Sequence, residues 1–350
     1  MNTNNKLTNT LSKQGEKLTI RELNLSESYL WDLLVQAAQT GCFMQAWNWA
    51  DFKEIEGYKT FRYGLFIDED LVGGCMFYLY PNPSKANLLI APGGPLLPDK
   101  CPEKGMQLLL ALATAVAKEM GAIALRIEPL WHQKPNSLTG FIRAPVDLLP
   151  SETLLIDLRP AESKILAAMK PKGRYNLRLS WRKGVETEFR SDPQSIPLFY
   201  DIFWETVQRQ QFLGEPYGFF INLCQTLFPA NMAEIGLASW QGDVLAAILV
   251  VYWGDHATYL YGGRSLSHPE LMATYALHWA AMQRAKARGC QLYDFYGFTR
   301  DPDHSYAKFS QFKSQFGGVP VTTIGAHDYF FYDQLADTLI GLFRLAGDGK

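Results

Sequence analysis

Two stretches of the sequence share one local pattern. Residues 118–128 read KEMGAIALRIE, and residues 286–296 read KARGCQLYDFY. In each stretch a helical pattern ends at a glycine, position 121 or 289, and a short apolar run typical of a buried strand follows. A glycine after the last helical residue supplies the left-handed turn that closes a helix. The repeat therefore predicts two copies of one helix–turn–strand unit.

The segments before both stretches extend the repeat. Each copy is predicted to begin with strands that flank a turn, to continue with a long helix, and to end with the buried strand. The first copy has strands Tyr63–Ile67 and Leu71–Tyr80, helix Met106–Ala117 and strand Ala122–Ile127; the second has strands Leu237–Trp240, Val244–Trp253 and Ala257–Tyr261, helix Leu271–Arg288 and strand Gln291–Phe295. Antiparallel strands followed by a helix and a parallel strand form a mixed α/β unit. Acyltransferases of the GNAT superfamily are built on such a unit.

The composition is that of an ordinary folded protein. The 350 residues are 47% hydrophobic and 19% charged, and a chain of this length predicts two domains of about 150 residues each. Lys and Arg total 33 against 35 for Asp and Glu, which leaves a formal net charge of −2. The chain as a whole has no electrostatic attraction to nucleic acid, so a basic site must be local.

Cysteine usage and hydropathy predict a cytoplasmic protein. The five cysteines form no Cys-x-x-Cys pair, and their odd number fits free thiols in a reducing compartment. Residues 1–17 lack the apolar core of a secretion signal. The most apolar helical run, 108–117, has about half of the roughly 20 residues that span a bilayer.

Four segments resemble the Fem family of peptidyltransferases, which are tandem GNAT-like proteins that build the peptide cross-bridge of peptidoglycan. The segments are IAPGGPLLP at 90–98, LRIEP at 125–129, KPKGRYNLR at 170–178 and FSQFKSQFGG at 309–318. The similarity extends from Tyr63 to Gly325, and Gly93 stands where the family usually has arginine. The long coiled-coil arm of some family members is missing, so the chain is similar to the compact branch.

The resemblance implies an α/β (α+β) fold with two tandem GNAT-like domains, each a mixed sheet flanked by helices. The first domain is expected over residues 1–148, joined by a C-terminal helix over 327–350, and the second over 149–326. An apolar stripe from Tyr329 to Phe343 lies on this C-terminal helix. We expect the stripe to pack on its own protein, and a shallow membrane contact is the alternative.

A run of basic residues is predicted to lie on one helix. Like charges at four-residue spacing repel, so they require either a solvated surface or an external anion. The functional interpretation is a phosphate track for the acceptor arm of tRNA or for the diphosphate of a cell-wall precursor, since arginine binds phosphate with two N–H groups. The residues are Lys170, Lys172, Arg174, Arg178 and Arg182.

Three further residues are candidates for the precursor site by resemblance alone. The family places arginine and tyrosine side chains around the precursor's phosphates, and Arg209, Tyr217 and Tyr261 match that pattern. The alternative is structural: an arginine at a helix end and two tyrosines packed in the core.

Lys313 and Asp294 are the candidate catalytic residues. Lys313 lies among Phe309, Phe312 and Phe316, so its stem is predicted to be packed while its ammonium group needs an anion or loses its charge. The resemblance implies that this lysine faces the transfer site, where it holds the 3′ end of the aminoacyl-tRNA or stabilises charge on the ester carbonyl; the alternative is a lysine that merely extends past an aromatic cluster. Asp294 ends a buried strand and is expected to accept a proton from the attacking amine or to pair with an arginine and brace the site.

Other chemistries lack their motifs. The histidines and cysteines show no metal-ligand spacing, and no Walker loop, Gly-x-Ser-x-Gly or Gly-x-Gly-x-x-Gly sequence is present. Coenzyme A-dependent GNAT enzymes have a glycine-containing pyrophosphate loop, and Arg264-Ser-Leu-Ser-His268 has serine there instead. We therefore expect neither a metal nor a bound cofactor.

The first functional hypothesis is a monomeric aminoacyltransferase with two substrates. It moves an amino acid from aminoacyl-tRNA to an amine on the stem peptide of a nucleotide- or lipid-linked peptidoglycan precursor. One alternative is a GNAT-like N-acyltransferase that uses acyl-CoA on a small amine or sugar. Another is a non-catalytic relative that binds precursors or tRNA.

Overall fold

The computed structural model describes residues 17–81, 86–304 and 306–332. The chain divides into two units: the first runs to Ser151 and resumes at Thr323, and the second is Glu152–Thr322. Each unit is built on a seven-stranded sheet.

The sheet of the first unit has the strand order β1-β2-β3-β4-β5-β14-β6. Its strands are β1 (Leu18–Glu22), β2 (Lys59–Ile67), β3 (Asp70–Tyr80), β4 (Asn87–Pro92), β5 (Ala122–Glu128), β6 (Ile142–Arg143) and β14 (His327–Phe330); its helices are α1 (Ser28–Ala37), α2 (Trp47–Ile55) and α3 (Pro102–Met120). Helix α3 buries Met106, Leu109 and Ala113 in the core of this unit. The spacing of three and four residues places these side chains on one face of the helix.

The sheet of the second unit has the order β13-β7-β12-β11-β10-β9-β8. Its strands are β7 (Glu152–Asp157), β8 (Glu186–Arg190), β9 (Ala233–Trp240), β10 (Asp243–Trp253), β11 (His256–Arg264), β12 (Leu292–Asp294) and β13 (Val319–Thr322). The helices are α4 (Glu162–Ala168), α5 (Pro171–Arg182), α6 (Ser195–Gln210), α7 (Tyr217–Leu227), α8 (Ala273–Ala287) and α9 (Ala307–Lys313).

Five consecutive strands of each sheet, β1 to β5 and β8 to β12, have the same order and connectivity, which confirms the predicted repeat. The last two positions differ, because β14 and β6 complete the first sheet and β7 and β13 complete the second. In each unit one parallel pair interrupts an otherwise antiparallel sheet: β4 with β5, and β11 with β12. A long helix, α3 or α8, connects the two strands of each pair, as a parallel crossover requires. The predicted class of mixed α/β units is therefore confirmed.

The glycines of the repeat close the two crossover helices as predicted. Gly121 follows α3 with φ +65°, and Gly289 follows α8 with φ +89°. A left-handed backbone at these positions favours glycine, because a Cβ would approach the neighbouring carbonyl oxygen. The helix therefore ends sharply, and the next residues enter β5 or β12.

The expected helix over 327–350 is wrong at its start, because His327–Phe330 forms strand β14. This strand pairs antiparallel with β5 through main-chain hydrogen bonds. The Asp328 carboxylate accepts from Arg126 on β5 at 2.7 and 2.8 Å, and both side chains are buried. The rest of the predicted helix, 333–350, lies outside the described residues. No helix in the described ranges is long and apolar enough to cross a membrane.

Replacing Gly289 by alanine should destabilise the protein by about 1 kcal/mol, since alanine is strained at positive φ. A Cβ at Gly289 would meet no atom within 4 Å, so the effect is that of the backbone alone. Gly218 in α7 is a matched control: it is equally open but has no positive φ, and alanine there should raise stability by roughly 0.5–1 kcal/mol. Thermal unfolding midpoints check both changes. Equal losses in the two variants would contradict the interpretation.

Candidate functional site

A cavity of about 440 Å³ lies in the second unit beside the sheet. Strands β10 and β11, the start of α8 and helix α9 contribute to its wall. Its apolar part includes the buried side chains of Leu245 and Ile248, and its charged part includes Arg209, Arg264 and Lys308. A cavity that combines a buried apolar wall with several cations fits an anionic ligand that carries an apolar or planar group.

A β-bulge in β11 decides which tyrosine faces this cavity. Leu249 pairs with Tyr261 and Val250 with Tyr259, so Leu260 is an extra residue on β11. Tyr259 lines the cavity and lies 4.6 Å from the His278 ring on α8. The extra residue breaks the two-residue alternation of the strand, so Tyr261 packs elsewhere.

Lys313 lies at the end of α9, next to Tyr259 of the cavity wall. Only 8% of the residue is exposed, and Nζ lies 5.6 Å from the centre of the Tyr259 ring. Nζ donates to the carbonyl oxygens of Tyr296 at 2.8 Å and Gly297 at 2.6 Å. Burial lowers the pKa of Lys313 to about 7, against the opposing attraction of Asp294. The side chain can therefore change its charge near neutral pH.

Asp294 shapes the turn that presents these carbonyl groups. Its Oδ1 accepts from the backbone N–H of Tyr296 at 2.7 Å and from the hydroxyl of Thr153 on β7. An aspartate that binds the N–H two residues later stabilises a tight turn, and Tyr296 adopts a left-handed φ of +51°. Burial raises the pKa of Asp294. Within the described ranges no arginine pairs with Asp294, so the predicted arginine partner is wrong.

Arg209 reaches the charged part of the cavity from the end of α6. Its guanidinium donates to the Arg264 carbonyl and to the Thr206 hydroxyl, each at 3.1 Å. Nε is buried and has no hydrogen-bond partner within the described part of the chain. Burial and the positive charge of Arg264 lower the pKa of Arg209. Glu205 lies 3.7 Å from the Arg209 guanidinium and offsets part of this positive charge, and a bound anion would offset more of it.

Tyr217 and Tyr261 lie in an aromatic cluster of α6, α7 and β11 and do not line the cavity. The ring of Tyr261 packs edge-on against Phe203 at 5.9 Å and Phe220 at 5.1 Å. Tyr217 begins α7, and its ring lies 5.0 Å from that of Tyr200. The structure therefore does not bring these two tyrosines to the part of the cavity where it brings Arg209.

The basic run lies on α5 as predicted, with Lys170 just before the first helical residue. Lys172, Arg178 and Arg182 are exposed. The other two have protein partners: Lys170 donates to the Ser314 hydroxyl at 3.1 Å, and Arg174 donates to the carbonyls of Ala167 and Met169. Those carbonyls end α4, so Arg174 has a structural contact.

Comparison with known protein families assigns the chain to one of them. Residues 142–243 and 241–332 match the FemAB family. Together these matches span more than half of the chain. The chain belongs to the FemAB family.

Relatives and solved structures agree with this membership. The lipid II:glycine glycyltransferase of Staphylococcus saprophyticus is 20% identical over 377 residues, which covers 85% of this chain and 90% of that protein. The crystal structure of FemX matches with a TM-score of 0.82 at 19% identity and covers 92% of this chain and 99% of FemX. A tandem GNAT protein from the clavulanic acid biosynthesis pathway matches with a TM-score of 0.56 at 11% identity, covering 90% of this chain and 99% of that one. The predicted Fem resemblance and tandem GNAT-like fold are confirmed.

The glycine at position 93 of this FemAB member, where the resembled pattern has arginine, has a physical explanation. Gly93 follows β4 with φ +68°, and a Cβ there would lie 2.3 Å from the Cβ of Cys42. A side chain at position 93 would need the space that Cys42 occupies.

Nearby, Glu128 accepts from the backbone N–H groups of Leu148 and Leu149, and burial raises the pKa of Glu128 to about 7. Arg126 and Glu128, the two charged residues of β5, are thus both engaged in contacts within the first unit.

Sequence reasoning missed several residues of the cavity wall in the FemAB chain. His278 and Tyr259 appear in the sequence as isolated polar residues within apolar runs, which is the ordinary pattern of a core. Arg264 and Lys308 are single exposed cations, at the end of β11 and on α9. The residues converge only because β11, α8 and α9 pack together, and no local pattern encodes that packing.

Replacing Lys313 by methionine should change how stability depends on pH. The folded-state pKa of about 7 is below the ordinary value of 10.5, so between these values the unfolded chain binds an extra proton at Lys313. The free energy of unfolding of the wild type therefore gains a contribution that rises with pH in this window. The stability of Lys313→Met relative to wild type should fall as pH rises from 7 to 10.

Chemical denaturation at pH 6, 8 and 9.5 measures this difference. Lys118→Met, at an exposed site on α3, is the control and should follow the wild-type profile. Parallel pH profiles for wild type and Lys313→Met would show that Lys313 does not titrate as described.

Proposed function

We propose that the protein is an aminoacyltransferase that moves an amino acid from aminoacyl-tRNA to an amine on the stem peptide of a peptidoglycan precursor. FemAB membership and a relative named lipid II:glycine glycyltransferase support an acyl transfer in cross-bridge formation. The observation that carries the proposal is the buried Lys313 ammonium beside a cavity with three cations. With aminoacyl-tRNA as the donor, the proposed location is the cytoplasm.

The cavity is the proposed site for the acyl-bearing 3′ end of the donor. Arg209, Arg264 and Lys308 supply positive charge for phosphate groups, and the apolar wall suits a planar base or an amino-acid side chain. An acyl-CoA donor is less well supported, because the segment Arg264–His268 before α8 has no glycine. Glycine permits the close backbone approach that a pyrophosphate requires.

The proposed reaction needs positioning and charge stabilisation more than activation of the donor. The acceptor amine attacks the ester carbonyl and a tetrahedral oxyanion forms. The C–O bond to the tRNA then breaks, and the 3′ oxygen leaves with the proton that the amine gives up as the amide bond is completed. An ammonium group has three N–H donors, and Lys313 uses two on the carbonyls of Tyr296 and Gly297. The third is proposed to donate to the ligand, where it stabilises the developing negative charge.

Asp294 is proposed to act through Lys313. Its carboxylate holds the turn whose carbonyl groups fix Nζ, and it attracts the positive charge. A buried carboxylate bound to Thr153 and Tyr296 suits this positioning role better than it suits proton transfer from the amine.

The precursor and the tRNA body are the remaining proposed partners. Arg209 is the best supported ligand for a phosphate, because its Nε is unpaired within the described residues; Tyr217 and Tyr261 are proposed for the precursor by family resemblance. The exposed Lys172, Arg178 and Arg182 of α5 are proposed to bind tRNA phosphates, together with Lys170 and Arg174 at its start.

The proposal is tested by a transfer assay with purified protein and a nucleotide-linked or lipid-linked muropeptide. One arm contains radiolabelled aminoacyl-tRNAs, a second contains the same tRNAs with RNase, and a third contains acyl-CoA donors. Label on the muropeptide that RNase abolishes supports the proposal. Transfer from acyl-CoA that RNase does not affect would replace tRNA by coenzyme A as the donor carrier.

Lys313→Met should lower kcat by on the order of 10²-fold, as expected for the loss of one donor to an oxyanion. Since the pKa of Lys313 is about 7, the wild-type kcat should contain a limb that declines as pH rises through 7, and the variant should lack it. Lys118→Met is the control. A wild-type limb that rises through pH 7 and is lost in Lys313→Met would instead identify Lys313 as a general base.

Neutralising the exposed face of α5 should weaken binding of tRNA and not of the muropeptide. The triple variant Lys172→Gln, Arg178→Gln, Arg182→Gln should raise KM for aminoacyl-tRNA about tenfold and reduce the salt dependence by about one unit of slope per lost phosphate contact. The control removes three exposed lysines of the first unit: Lys17, Lys104 and Lys118. If both triple variants raise KM equally, the effect comes from net charge and not from α5.

A further inference from the structure

His278 is a buried histidine in the wall of the cavity with a fixed ring orientation. It is 2% exposed on α8 and lines the cavity. Its Nδ1 lies 3.0 Å from the hydroxyl of Tyr293, which is fully buried on β12. Tyr259 meets the ring edge-on at 4.6 Å, and Phe295 lies 5.0 Å away. The ring cannot rotate without displacing these neighbours.

The surroundings keep this histidine neutral. Burial, together with the positive charge of Lys313, lowers the pKa of His278 to about 3. Burial also raises the pKa of Tyr293, so its phenol keeps its proton and can donate to Nδ1. In a neutral imidazole with an accepting Nδ1, the proton is on Nε2.

The Nε2 atom has no hydrogen-bond partner among the residues that the structure describes. Apart from the Tyr293 hydroxyl at Nδ1, the neighbours of the ring are aromatic, with Phe312 and Phe316 among them. A polar atom without a protein partner at the wall of a cavity is available to hydrogen-bond whatever occupies the cavity, water or a ligand. The cavity, whose wall includes His278, is where that ligand can enter.

We propose that His278 is a further positioning residue of the cavity, whose Nε2–H donates to an oxygen of the ester-bearing end of the donor substrate. This inference rests on the proposed function, because the donor is taken to be an aminoacyl ester of a nucleoside. The cations Arg209, Arg264 and Lys308 attract the phosphate groups, and His278 lies on the aromatic wall beside Tyr259, the ring that Lys313 Nζ also neighbours. Beyond its last phosphate the donor carries ribose, base, ester and amino groups, and the ester oxygens are the hydrogen-bond acceptors at the reacting carbon.

Two substitutions separate ligand binding from structural support. In His278→Asn the amide reaches the place of Nδ1 and can keep the bond to Tyr293, but it leaves nothing at Nε2. In His278→Gln the longer side chain brings its NH₂ group to the place of Nε2 and loses the bond to Tyr293. Matched controls are His327→Asn and His327→Gln, at a histidine that is 4% exposed in the first unit.

The experiment measures kcat and KM for aminoacyl-tRNA in the full-length protein, with the thermal midpoint of each variant. It also measures binding of a stable probe, adenosine that carries an amide-linked amino acid at its 3′ position. We expect His278→Asn to raise KM and the probe's dissociation constant about tenfold with kcat within about threefold of wild type. We expect His278→Gln to stay within about threefold in all three constants, although it loses the Tyr293 bond.

The opposite ranking, with His278→Asn like wild type and His278→Gln impaired in proportion to its lower thermal midpoint, would overturn the inference and assign His278 a structural role. Equal losses in the His327 variants would also overturn it. Failure of the proposed function is separate: in that case wild type transfers nothing from aminoacyl-tRNA and does not bind the probe, whatever residue is at position 278.

Discussion

The buried ammonium group of Lys313 constrains the whole region around it. A charge removed from water needs oxygen atoms at hydrogen-bond distance, and the carbonyls of Tyr296 and Gly297 supply them. Those carbonyls point toward Nζ because the chain turns through a left-handed residue after β12, and Asp294 holds that turn. Strand β12 lies between β11 and β7, and the Thr153 hydroxyl of β7 fixes Asp294. The position of one lysine thus depends on three strands and the last turn of α9.

Local sequence determined much of the fold, and the parts it missed are non-local. Apolar spacing and two glycines were enough to place α3, α8 and the strands that follow, because a left-handed residue after a helix is a signal within a few positions. Strand β14 has no such signal. Its residues belong to an apolar run that also fits a helix, and only its pairing with β5, including the contact between Asp328 and Arg126 about 200 residues earlier, makes it a strand.

The sequence predicted a member of the candidate site only where the residue type conflicted with its apolar neighbours. A lysine among three phenylalanines is unusual because its charge is costly to bury, and Lys313 is buried as expected. The other residues of the site show no such conflict, because Tyr259 and His278 have the sequence pattern of core residues. The two-residue spacing of Tyr259 and Tyr261 also suggests that both face the same side of β11, whereas in the structure they face opposite sides. The partners of Asp294 were also beyond sequence reasoning, because a buried carboxylate is equally satisfied by an arginine or by a hydroxyl and an amide.

The extra residue Leu260 has a consequence for how members of this fold are compared. Leu260 shifts the alternation of side chains along β11 by one residue. The residues that face α8 therefore have opposite parity, odd or even, in positions 256–259 and in positions 261–264. An alignment that places its gap a few positions away from Leu260 would exchange cavity residues for residues of the α6–α7 cluster while still matching hydrophobic to hydrophobic. Transfer of a residue's role across β11 therefore depends on where the bulge lies in each protein, which only the strand register reveals.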